Sequence, residues 1–155
     1  GNDQKLSEQR VKGYKHFANK IWNISRFVLE NTEEYIKKNA PVTDRDQKLI
    51  DEALDVAAQA NTHIETFRLD LAGDAAYQYI WHTFADKVIE ESKPILQGDD
   101  EEAKLSRTAA LYEILTISLK MLHQFMPFVT EEIWAHLPKK DSDMLIVAEW
   151  PAKTA

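Results

Sequence analysis

The sequence predicts an all-α fold, an antiparallel helical bundle of four main helices with a short fifth helix and an extended C-terminal tail. Two observations predict it. Only four glycines and five prolines interrupt 155 residues. Between these breakers, apolar residues recur at three- and four-residue spacing over long runs, the period of a helix with one buried face. A chain of this length can bury a core without disulfide or metal staples, and it reads as one domain, residues 1–155. Its 44% hydrophobic and 29% charged residues are the balance of an ordinary globular protein and decide against disorder.

The first helix is expected over residues 7–30, with Ser7 as N-cap and Arg10 where a capping box would place Glu. Phe17, Ile21, Ile24 and Val28 form its buried stripe, and Asn31 and Thr32 end it. Residues 33–38 read as a short further turn stopped by Ala40 and Pro41. Thr43 opens the second helix, with Asp44 and Asp46 suited to its first turn. Its apolar positions run from Leu49 to Phe67. Gly73 and Asp74 divide it from a third helix over roughly 74–93, closed by Pro94 and Gly98. The run from Asp99 to Glu102 suits the N-terminus of a fourth helix, roughly 101–125. From Leu111 to Met126 that helix is apolar nearly all round, which predicts a central position. Pro127 breaks it. Thr130 to Leu137 forms the short fifth helix, and Met144 to Trp150 is an extended tail laid on the bundle.

Composition also bounds function. The chain has no cysteine, so thiolate metal sites and disulfide frameworks are excluded, a pattern compatible with the cytoplasm. No stretch approaches the eighteen or so apolar residues of a membrane span, so no membrane partner is expected. The net charge of −7 argues at first against a nucleic-acid partner, but its distribution argues the other way. Residues 1–48 hold ten Lys/Arg against seven Asp/Glu, while residues 49–155 hold nine against nineteen. Between Glu8 and Glu30 no acidic residue occurs, yet Arg10, Lys12, Lys15, Lys20 and Arg26 fall there.

Catalytic chemistry is hard to find. None of His16, His63, His82, His123 and His136 belongs to an H-E-x-x-H pattern or carries the Glu three residues ahead that a bundle carboxylate metal site needs. His82 and Asp86, four apart, read as a surface hydrogen bond. Adjacent pairs such as Glu131–Glu132 point to different sides of a helix. No catalytic residue, metal site or cofactor is expected in this domain. Trp81, Phe84, Trp134 and Trp150 read as packing residues.

The first helix is different. At about 100° per residue, Lys12, Lys15, Asn19, Asn23 and Arg26 lie opposite the apolar stripe. Phe27 falls with His16, Lys20 and Asn23 on one flank. An aromatic ring bordered by amides and cations has the parts an unpaired RNA loop requires: a ring to stack on a splayed base, amides for base edges, cations for phosphates. The same pattern also fits a solvated cationic face with Phe27 tucked against a neighbouring helix.

The stretch from Gly13 to Phe27, GYKHFANKIWNISRF, resembles the first helix of the anticodon-binding domain of valyl-tRNA synthetases. Its specific part is F-x-N-K, an apolar–aromatic pair, then N-x-x-R-F. Three segments agree in order: Trp81-x-x-Phe84-x-Asp86, the run from Pro127 to Trp134 (P-F-x-T-E-E-x-W), and the stretch from Met144 that closes in Trp150-Pro151. The resemblance covers essentially the whole chain, and residues 1–11 look like a segment leading out of a catalytic part.

The resemblance implies that Asn19, Lys20, Asn23, Arg26 and Phe27 read a tRNA anticodon stem-loop, with Lys12, Lys15 and His16 beside them. It implies a stacking counterpart near Ile89 on the third helix. Ala85, Lys87 and Val88 depart from the Cys, Trp and Tyr that many family members carry there. The class I motifs H-I-G-H and K-M-S-K-S are absent. The expectation is therefore a piece of a larger valine–tRNA ligase that uses ATP and Mg²⁺ through a catalytic domain of the same polypeptide. The other readings are the equivalent domain of an isoleucyl or leucyl enzyme and a helical protein–protein module with an acidic surface.

Overall fold

The computed structural model describes the backbone of residues 2–154 and the side chains of all of these except 2, 3, 6, 7, 10, 11 and 36. The described chain is an all-α bundle: α1 Asn2–Lys38, α2 Asp44–Glu65, α3 Leu69–Gln78, a π-helical segment Tyr79–Ile89, α4 Glu90–Gln97, α5 Glu101–Leu122 and α6 Pro127–Ala135, with a single 3₁₀ turn at Leu145–Val147. The helices α3 and α4 and the π segment continue one another, so residues 69–97 form one rod. The bundle thus has four long members, α1, α2, this rod and α5, with α6 as the short fifth.

Outside the π-wound segment the helix periods are as read from the sequence; several boundaries are not. The helix α1 runs unbroken through Asn31 and Thr32. Both side chains bond back into the helix, Asn31 Nδ2 to the Phe27 carbonyl and Thr32 Oγ1 to the Leu29 carbonyl. Side chains that usually compete with the backbone are thereby spent inside it. Ser7, expected as N-cap, lies within the helix, its side chain outside the described set. At the other end of the sequence α6 begins at Pro127, whose fixed φ and missing N–H suit a first helical position.

The break between α2 and α3 falls at residues 66–68, ahead of Gly73. It is a Schellman turn: the Phe67 N–H donates to the Ile64 carbonyl and the Arg68 N–H to the His63 carbonyl. Phe67 sits at its left-handed position, φ 61°, and is 91% exposed rather than part of the apolar face. Gly73 is helical, and a Cβ there would meet the Phe125 ring at 3.3 Å, so this glycine admits the close approach of the end of α5. Pro94 lies inside α4, and Gly98 caps it.

The helix α5 is the centre of the molecule, with Ala109, Ala110, Leu111, Ile114, Leu115, Leu119 and Met121 all essentially inaccessible. It starts from Asp100, whose side chain accepts the Ala103 N–H. Thr43 caps α2 in the same way, accepting the Asp46 N–H. One charged network crosses this core. Arg107 of α5, 1% exposed, donates from Nε to Asp46 Oδ1 of α2 (2.9 Å) and from Nη1 to Ser92 Oγ of α4 (3.1 Å). Ser106 Oγ donates to Asp46 Oδ2 at 2.5 Å. Asp46, expected as a first-turn charge, is thus a buried acceptor.

The tail lies on the bundle, as expected, but is only partly extended, since Leu145–Val147 winds into the 3₁₀ turn. Trp150 Nε1 donates to the Ala57 carbonyl of α2, and the Leu145 N–H donates to Glu131 Oε1 of α6. Trp134 is fully buried with Nε1 donating to the Ser142 carbonyl, and Phe84 is equally buried. No helix is long and apolar enough to cross a membrane among the described residues.

Candidate nucleic-acid interface

The face expected on α1 begins outside the bundle. Every described side chain from Gln4 to His16 is exposed, and no atom lies within 4 Å of where a Cβ on Gly13 would sit. Phe17 is the first buried side chain among the described residues. Lys12, Lys15 and His16 therefore stand on a projecting arm, and Asn19, Lys20, Asn23, Arg26 and Phe27 on the part that packs. Asn19, Asn23 and Arg26 point away from the core and are exposed. Among the described residues, the side chains of Lys12, Lys15, His16, Asn19, Asn23 and Arg26 make no hydrogen bond or ion pair with protein. Their donors are open to solvent.

Phe27 is intermediate. It packs against the core and keeps a minor part of its surface accessible. Its contact with the core is that of the tucked ring, one of the two readings left open by periodicity. Arg26 borders the opposite flank as well, where it lines a shallow groove of about 390 Å³ with Trp22, Leu29, Ile133 and His136.

Lys20, expected among the loop-reading residues, is already engaged within the protein. Its ammonium lies 3.3 Å from Asp86 Oδ1 and 4.9 Å from the Trp81 ring centroid. A cation over an indole face contributes about 0.5–1 kcal/mol at such partly exposed sites. Trp81 in turn stacks on Tyr77 (5.7 Å, 24°) and Phe17 (6.0 Å, 25°). Asp86 is thus engaged by Lys20; His82 Nδ1 stands 3.9 Å from its other oxygen, too far for the hydrogen bond expected between them.

Asp86, Trp81 and Tyr77 were not among the residues expected in this interface. Trp81 and Asp86 enter it because the third rod is π-wound at this point, whereas Tyr77, near the end of α3, reaches Trp81 one turn along. Residues five apart lie about 140° apart around an α-helix. The i→i+5 bonding of a π-helix stacks them on one side. Trp81 and Asp86 so both reach Lys20. A reading at 100° per residue separates them, and the only trace in the sequence is the W-x-x-F-x-D segment itself. Ile89, near which a stacking counterpart is implied, is buried and offers no ring or surface to a base.

The model of the anticodon-binding domain of tRNA ligase matches residues 46–155, which leaves α1 outside the match. Relatives cover that helix. The chain is 38% identical to the valine–tRNA ligase of Aquifex aeolicus over 99% of its own length and 14% of that protein's. It is 40% identical to that of Syntrophotalea carbinolica, covering 89% of the chain and 16% of the relative, and 37% identical to that of Clostridium tetani, covering 97% and 18%. The chain spans only 14–18% of the length of these relatives. With the all-α bundle and the family match over most of its residues, the chain belongs to the family of anticodon-binding domains of tRNA ligases.

Proposed function

We propose that this chain is the anticodon-binding domain of a valine–tRNA ligase and that α1 reads the anticodon loop. In this reading Phe27 stacks on an unpaired base, Asn19 and Asn23 bond base edges, and Arg26, Lys12, Lys15 and His16 meet phosphates. The likeness to valine–tRNA ligases along nearly the whole chain supports the substrate. The observation that carries the site is the set of amides and cations without protein partners among the described residues beside the partly buried ring of Phe27.

The chemistry then belongs to a catalytic domain of the same, longer polypeptide, which would use ATP and Mg²⁺ in the cytoplasm to attach valine to tRNA(Val). This domain would hold the tRNA while that happens and needs no cofactor for it. The apolar end of the bundle supports such a neighbour. Phe67 at the α2–α3 turn and Phe128 at the start of α6, 91% and 86% exposed, lie at the end from which the arm of α1 projects, with Tyr14, Leu69 and Ile146 also exposed.

Titration of the chain with a valine-type anticodon stem-loop at low salt tests the site. The amide signals of Asn19 to Phe27 shift, and Phe27→Ala weakens binding by about 1–3 kcal/mol, the worth of one base stacked on an aromatic ring. A titration that leaves α1 unmoved overturns the assignment.

A further inference from the structure

We propose that Asp86 makes Lys20 a reader of base edges rather than an anchor for phosphate, and so sets specificity at the loop nucleotide that reaches this point of α1. The proposal rests on the reading that α1 meets an unpaired RNA loop.

Three observations carry it. First, Lys20 alone among the expected contact cations carries a carboxylate partner among the described residues. Its ammonium is 3.3 Å from Asp86 Oδ1, while Lys12, Lys15 and Arg26 have no such partner. A phosphate oxygen within bonding reach of the Lys20 ammonium would come within a few ångströms of the Asp86 carboxylate, and the two anions would repel. The paired site is close to neutral as a whole, so it releases no counterion when RNA arrives.

Second, the ammonium is held. Trp81 takes one side at 4.9 Å and Asp86 another, which confines a side chain that is otherwise free to swing. Its exposure is 31%, so a face of it remains open to a ligand.

Third, the open face is mixed. Lysine offers donors only and a carboxylate acceptors only. The Asp86 side chain is 51% exposed, and its Oδ2 has His82 no nearer than 3.9 Å. Lys20 and Asp86 together therefore present a donor beside an acceptor. A phosphate has acceptors alone and cannot use both. The edge of an unpaired base, with an acceptor beside an amino or imino donor, can use both. The cations of α1 are thereby divided: Lys12, Lys15 and Arg26 suit the backbone, and Lys20 with Asp86 suits a base.

The test uses the 155-residue chain and RNA hairpins that carry A, C, G and U in turn at each loop position. Binding is followed by fluorescence anisotropy over a salt series, for the parent, D86N and R26Q. Asp86 is half exposed, so D86N should retain the parent's thermal unfolding. D86N flattens the preference between bases at one loop position about tenfold, the lower range of discrimination by a well-placed base contact. It also steepens the dependence of log Kd on log salt by about 0.7, because the released Lys20 then neutralises one phosphate. R26Q makes that dependence shallower by a similar amount and keeps the base preference. If D86N keeps the parent's preference and slope, or weakens every hairpin equally, this inference is overturned and the RNA-binding reading stands. If the parent binds none of the hairpins at low salt, the RNA-binding reading falls and this inference falls with it.

Discussion

Tyr79 lies in the π segment with its ring buried and its hydroxyl without a protein partner among the described residues. Burial, and secondarily the nearby Glu52 carboxylate, pushes its phenol above the ordinary range, so the neutral form is held in the fold. Below about pH 10 folded and unfolded chains both keep this proton, and its contribution to stability is complete. Above that pH the unfolded chain loses the proton first, and stability falls as pH rises toward the folded value. Tyr79→Phe should therefore soften the alkaline loss of stability in urea melts taken at rising pH. At neutral pH the same change should be neutral or stabilising by up to about 1 kcal/mol, since it removes an unpaired buried hydroxyl. Some alkaline loss should remain, because burial also raises Tyr35 and Tyr112. A Tyr79→Phe chain with an unaltered alkaline limb would show that the hydroxyl finds a partner in solution. At this same scale the interface is half legible in the sequence. Asn19, Asn23 and Arg26 stand exposed, as a 100° wheel places them, whereas the engagement of Lys20 depends on a side chain 66 residues away that no local pattern reports.

Helices show best where one face is buried, and their ends show worst. The stripe of Phe17, Ile21, Ile24 and Val28 is buried as its period requires, and α5 is buried all round as its composition requires. No stop occurs at Asn31 and Thr32 because both side chains find carbonyls within the helix instead of ending it. The break expected at Gly73 is displaced for the opposite reason: that glycine makes room for Phe125, while the true stop uses a phenylalanine in the conformation glycine prefers. This last position yields an element-scale prediction. A non-glycine residue in the left-handed region costs about 1 kcal/mol or more, and Phe67 recovers little of it by burial because it is almost wholly exposed. Phe67→Gly should stabilise the isolated chain by about 1 kcal/mol, read as a higher denaturation midpoint at unchanged m. A lower midpoint would mean that the ring contributes contacts the turn geometry does not suggest. That the sequence keeps a strained and solvent-facing phenylalanine there fits a surface that another part of a longer protein covers.

Three members of the bundle, α2, α4 and α5, are pinned together by the Asp46–Arg107 pair through Ser92 and Ser106. Such a pair adds little net stability compared with an apolar filling, but removal of one partner leaves a charge in the core. Asp46→Ala should cost about 3–5 kcal/mol in chemical denaturation, and the double change Asp46→Ala with Arg107→Leu should recover a large part of it. A single variant within about 1 kcal/mol of the parent would show that water reaches Arg107. Composition and periodicity are enough to reveal the all-α class, the order of the helices and the central place of α5. This pin is hidden from them, since Asp46 also satisfies every rule for a first-turn surface charge.

The length of α1 has a mechanical consequence. At 37 residues it is about 55 Å long, and from Tyr14 to Lys38 it contains no proline or glycine at which to kink. The arm and the turns that carry Asn23 and Phe27 are one stiff lever. A body that grips the exposed turns before Phe17 thus sets the aim of the far turns by rotation rather than by bending, and Gly13 is the one glycine along the helix where that lever can give.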